Sequence, residues 1–131
     1  MPTLLVQARN PDLASGAPGH LDVGTVVRDL LDVPTGPIDR SMGDVHPGGN
    51  PHYSYDPLRM ADLAEVIAAR LSHLDPSHAA SYTANAKALK QELQTIAKVA
   101  RKKFDALPAK AKRVVEYHKS FAYLFETLGI E

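Results

Sequence analysis

The chain has 131 residues, with 15 Lys and Arg balanced by 15 Asp and Glu, six His and no Cys. That length suits one ordinary domain, and a hydrophobic share of 44% is enough for a buried core and argues against wholesale disorder. Zero net charge argues against a general nucleic-acid binder, which needs a basic surplus to displace counterions. The lack of cysteine excludes disulfides, thiolate metal sites and a cysteine nucleophile.

Met1 to Arg9 reads as the end of a helix. It has no basic segment followed by an apolar core, so no signal peptide is expected there, and no stretch approaches the roughly 20 apolar residues of a membrane span. Residues 10–57 hold most of the Gly and Pro, in clusters such as Gly16-Ala17-Pro18-Gly19, Pro34-Thr35-Gly36-Pro37 and Pro47-Gly48-Gly49-Asn50-Pro51. Such punctuation predicts short elements joined by loops. The β-branched residues of Val23 to Val33 suggest one short strand ending at Pro34.

The second half reads as helical. Asp56-Pro57 supplies an N-cap acceptor and a proline at the first helical position. Behind it Met60, Leu63, Ile67, Leu71 and Leu74 form one apolar stripe. Asp75-Pro76 repeats the start signal, and Tyr82, Ala86, Leu89, Leu93, Ile96, Ala100 and Phe104 keep helical spacing until Leu107-Pro108 stops them. A helix of about 30 residues is about 45 Å long, which suits a spine between two lobes better than an element within one. Lys98 to Lys103 lies on it and reads as a solvated basic face. Arg113 to Tyr117 is a short β-type run, His118 follows, and Ser120 to Leu128 predicts a helix closed by Gly129. Strand, loop and helix open an α/β unit, so the expected class is α/β with a mostly helical second half.

Of the six histidines, His20, His46, His52, His73, His78 and His118, none pairs with another as HExxH requires, and no GxSxG elbow, P-loop or GxGxxG is present. Asp44 and Asp56 flank a His-containing loop, but spacing alone does not make them an acid/base pair. His52 stands between Pro51 and a helix cap four residues on, which holds the imidazole in a fixed direction, as a metal site demands. His118 sits at the carboxyl end of the expected strand, where open α/β sheets bind ligands. On position alone each is a candidate ligand set against a loop histidine bonding a backbone carbonyl.

The segment Gly43-Asp44-Val45-His46-Pro47-Gly48-Gly49-Asn50-Pro51-His52-Tyr53, continuing to Asp56-Pro57, resembles the region of the second ligand histidine in the zinc/manganese solute-binding proteins of bacterial ABC importers. The resemblance continues in order through Leu74-Asp75-Pro76, Tyr82 and Asn85, then Val114, His118, Phe121, Tyr123 and Gly129. It implies a partial two-lobe fold: residues 1–74 as a remnant of an N-terminal α/β lobe, 75–107 as the interlobe spine helix (about 76–107), and 108–131 as the start of a C-terminal α/β lobe. His52 and His118 are then metal ligands, one from each lobe, and His46 is either a supplementary or entry ligand or a solvated loop histidine. The tyrosines beside His52 are packing residues, and His73 and His78 face solvent.

The same resemblance implies capture of Zn²⁺, or alternatively Mn²⁺, and delivery to a membrane permease, with no enzymatic activity. It further implies a periplasmic or lipid-anchored extracellular parent truncated here at both ends, beyond which other ligands lie. Adhesin-type members of the family keep cell adhesion open. Ser54 departs from the family pattern, which often carries an aromatic two places after the motif histidine, and implies a gap or altered packing beside His52. Two rival readings remain: a metal-dependent hydrolase using His46, His52 and His118, for which no general base is evident, and a helical interaction module without metal function.

Overall fold

The computed structural model describes residues 2–31, 33–39 and 45–130. Four α-helices appear among them: α1 (Pro2–Gln7), α2 (Pro57–Leu74), α3 (Ala79–Asp105) and α4 (Ala122–Leu128). Short 3-10 turns lie between them, among them Val23–Thr25, His52–Tyr55 and Pro76–His78.

The helix boundaries follow local chemistry. Asp56 accepts from Leu58 N at 3.2 Å and Arg59 N at 3.3 Å, which satisfies two donors that the first turn of α2 leaves open. After Asp75-Pro76 the chain makes the 3-10 turn before α3 begins at Ala79, three residues later than the proline suggested. Asp75 gathers this junction, holding the Ser77 hydroxyl, His78 Nδ1 at 2.7 Å and the Tyr82 hydroxyl at 3.0 Å. Those bonds, that from Ser77 foremost, hold its carboxyl below the usual value. His73 and His78 are both exposed. At its far end α4 closes on Gly129, in the left-handed region at φ 66°.

Helices α2 and α3 form an antiparallel hairpin. Lys90 Nζ on α3 reaches Glu65 Oε2 on α2 at 2.7 Å, with Asp62 Oδ1 at 3.8 Å. The seam between them is built from small side chains, Ala61 and Ala68 facing Ala86 and Ala97, with Leu63 beside them. Alanine brings two helix axes close, so the larger residues end up flanking the seam. This shifts the expected stripes. On α3 the covered line runs through Tyr82, Ala86, Lys90, Leu93, Ala97, Ala100 and Phe104, while Leu89 and Ile96 stand exposed to one side. On α2, Leu63 is buried but Ile67, Leu71 and Leu74 stay largely open. At 27 residues α3 is about 40 Å long. Helix α4 packs on the first turn of α2 through Arg59–Glu126 at 2.8 Å and Thr127 Oγ1–Asp56 Oδ1 at 2.7 Å.

The α/β expectation is corrected on one point: no strand occurs among the described residues. Over 23–33, Asp22 accepts from Gly24 N at 3.0 Å and curls the chain into a 3-10 turn, and Asp29 adopts φ 51°. Both interrupt an extended backbone; residue 32 lies outside the described residues. The 113–117 run lacks regular hydrogen-bonded structure and has no strand to pair with among the described residues, leaving Val115 at 99% and Tyr117 at 108% exposure. A strand exists only as part of a ladder, so β-type composition alone does not make one.

Candidate metal centre

Three histidines from two parts of the chain meet beside α4. His52 opens the 3-10 turn His52–Tyr55, directly before the capped start of α2. Pro51, at φ −82° and ψ 0°, leads into that turn. His46 lies on the preceding turn, closed by Gly49 N donating to His46 O at 3.0 Å. Gly49 sits at φ 89°, where a Cβ would meet the Leu30 side chain at 2.8 Å, so only glycine fits this bend. His118 comes from the loop before α4, turned by Ser120 N donating to His118 O at 2.6 Å.

One ring nitrogen from each of His46, His52 and His118 lies within 4.8 Å of the others, and all three residues are half-buried. His52 Nε2 and His118 Nε2 are 2.7 Å apart in an N–H···N hydrogen bond, with ring centroids 4.7 Å apart and planes at 87°. The His46 ring stands edge-on to His52 at 5.9 Å. No other group of three or more His, Cys, Asp or Glu close enough to share an ion occurs among the described residues. A His46 ring nitrogen thus lies within 4.8 Å of the pair, and His20, His73 and His78 lie outside the group. Asp44 lies outside the described residues. Asp56 is fully buried and bound to Arg59 and Thr127, so it serves as a helix cap, not half of an acid/base pair.

The donor set fits a divalent cation. Two imidazole nitrogens on one tetrahedral zinc, each at about 2.0–2.1 Å, lie about 3.3 Å from each other. The His52–His118 pair at 2.7 Å must open by about 0.6 Å to reach that spacing, a small rotation of either side chain. The proton between the two nitrogens must also leave, because a metal needs both lone pairs. An open cavity lined by Asp22, Thr25, Leu30, His46, Pro51 and Tyr53 gives access from the His46 side.

The aromatic residues pack as the sequence suggested. Burial, and then the Asp22 carboxylate, push the Tyr53 phenol above its ordinary 10.0, so it stays protonated at neutral pH and makes a poor ligand. Of the gap or altered packing expected at Ser54, the structure has altered packing, from the next position. Tyr55 stacks on His52 at 6.4 Å and meets Phe121 at 5.0 Å.

The sequence did not reveal the polar frame behind the histidines. Asn50, only 4% exposed, accepts from His52 N at 3.0 Å through Oδ1 and donates Nδ2 to Lys119 O at 2.8 Å. The Tyr123 hydroxyl, also buried, donates to Asn50 O at 2.6 Å and accepts from Leu31 N at 3.0 Å. Arg59 lies 4.3 Å over the Tyr123 ring and pairs with Asp56 at 2.9 Å. Contacts across some 70 residues leave no local signal, although Asn50 does sit in the motif quoted above.

A half-buried cluster of imidazoles, backed by a hydrogen-bonded frame and open on one side, is a donor set that could hold a transition-metal ion. The chain belongs to the family described as zinc-uptake complex component A, periplasmic, whose model matches residues 7–131. It is 30% identical over 82 residues to the manganese-binding lipoprotein MntA of Bacillus subtilis (strain 168), a match covering 63% of this chain and 27% of that protein. The crystal structure of the laminin-binding protein Lbp of Streptococcus pyogenes is similar over 76% of this chain and 36% of that one, with a TM-score of 0.59 and 32% identity. The chain thus spans about a quarter to a third of the length of these relatives. The family's description is that of a component of zinc uptake. No helix among the described residues is long and apolar enough to cross a membrane.

Proposed function

We propose that this chain captures Zn²⁺ with His46, His52 and His118 as ligands, as part of a solute-binding protein that hands the ion to an ABC permease at the outer face of the membrane. The observation that carries the reading is the meeting of three ring nitrogens within 4.8 Å. The metal is cargo, held and passed on unchanged.

Zinc is preferred over manganese on the donors: three imidazoles, with no carboxylate joining them among the described residues, suit a borderline-soft ion, whereas Mn²⁺ favours oxygen. The relative from Bacillus subtilis is named for manganese, which makes Mn²⁺ the competing cargo. In this reading His52 belongs to one lobe and His118 to the next, and α3 is the spine joining them. A 27-residue helix resists large lobe motions, so loading and release run through the ligand loops.

The test is a competitive titration with Zn²⁺ and Mn²⁺ at neutral pH, on the chain and on a His52→Ala/His118→Ala double variant. The expected result is one Zn²⁺ site that binds more tightly than Mn²⁺ and is lost in the double variant. Equal binding by both proteins would sink the assignment of these two ligands, and a preference for Mn²⁺ would overturn the choice of ion.

A further inference from the structure

We infer that Asn50 is the positioning residue that sets the His52 and His118 imidazoles in register with each other; this rests on the metal-capture reading above. The two histidines are 66 positions apart in sequence and come from separate loops. Each loop is tied to the Asn50 side chain at its histidine or one residue beyond it. On one side Asn50 Oδ1 accepts from the backbone N–H of His52 itself. On the other, Nδ2 donates to the carbonyl of Lys119, the residue after His118.

Both ends of the Asn50 amide are engaged. Pro51 has no N–H, so Asn50 Oδ1 reaches across it to the next donor, which is His52 N. Turning the amide over would face NH₂ against the His52 N–H and oxygen against the Lys119 carbonyl, two repulsive contacts, so the orientation is set by its partners. An aspartate keeps the first bond and loses the second, because its carboxylate oxygen would oppose the Lys119 carbonyl. The Asn50 main chain is pinned as well: its N–H donates to Leu31 O at 2.8 Å, and its carbonyl accepts from Tyr123 at the start of α4. Asn50 thus couples the His52 turn, the 118–119 loop and α4 from a position only 4% exposed. Groups behind metal ligands that fix their placement typically change affinity by about 10- to 100-fold when removed.

The experiment compares wild type, Asn50→Ala and Asn50→Asp, measuring Zn²⁺ affinity by competition, the visible absorption of bound Co²⁺ and the thermal unfolding midpoint of the metal-free chain. In folded Asn50→Ala, Zn²⁺ should bind about 10- to 100-fold more weakly, with an altered Co²⁺ spectrum. Asn50→Asp keeps the bond to His52 N but sets an oxygen against the Lys119 carbonyl, so it should show the same direction of change because the 118–119 loop is released. Wild-type affinity and spectrum in the folded variants, with only the midpoint lowered, would make Asn50 a stability residue and overturn the inference. Failure of the wild type to bind Co²⁺ or Zn²⁺ would instead bring down the metal-capture reading, and this inference with it.

Discussion

Asp56→Ala is the substitution whose cost the structure specifies most fully. The Asp56 side chain is fully buried and accepts four hydrogen bonds: Leu58 N, Arg59 N, Arg59 Nη1 at 2.9 Å and Thr127 Oγ1 at 2.7 Å. Loss of the N-cap alone costs about 1 kcal/mol. The larger effect falls on Arg59, whose side chain is 13% exposed and would keep only the half-exposed Glu126 as a carboxylate partner. Breaking a buried pair by removing one member costs about 3–5 kcal/mol, because the remaining charge stays desolvated. Glu126, exposed and screened, offsets at most about 1 kcal/mol of that. The expected destabilisation is therefore about 3–5 kcal/mol, a large share of the roughly 5–15 kcal/mol that holds a domain folded. Asp56→Asn keeps a capping oxygen and removes the charge, so it should cost less, about 1–3 kcal/mol. Urea denaturation followed by circular dichroism measures both, provided the m-values agree. An alanine variant within about 1 kcal/mol of wild type, or one no worse than asparagine, would refute the view that the buried Asp56–Arg59 pair at the start of α2 carries this stability.

The Asp75 carboxyl is held low, mainly by the Ser77 hydroxyl and then by His78 and Tyr82, so its contribution to stability is present above its ordinary 3.8 and is lost as pH falls through the lowered folded value. Ser77→Ala should raise the Asp75 titration towards 3.8, as read by NMR, and an unmoved midpoint would dismiss the hydroxyl as its cause. Gly129→Ala forces a Cβ into the left-handed region and to within 2.4 Å of Arg101 Nη1. The arginine tip can swing aside, so backbone strain dominates, and a loss of about 1–3 kcal/mol in urea denaturation is expected. An unchanged midpoint would show that α4 does not depend on this cap.

The readable parts of the fold were those written in short stretches of chain. Asp56-Pro57 starts α2, Asp75-Pro76 the turn into α3, and Gly129 ends α4, because a cap needs only a side chain and backbone groups a few residues away. His52 and His118 were legible as candidates through the motif around Asn50-Pro51-His52 and the order of the residues that follow it. The sequence by itself determined the helices, the turn residues and the donors available: six imidazoles and no thiolate. Tertiary structure decided which of them meet. It drew His46 in beside the pair, set the α2–α3 seam on alanines where bulkier neighbours had marked the stripe, and left 113–117 without a ladder. Asn50 reaches Lys119 across 69 positions, and Tyr123 reaches Asn50 across 73. Periodicity and capping act over a few residues, whereas these contacts exist only once packing has brought distant backbone polar groups out of water, where each must find a partner.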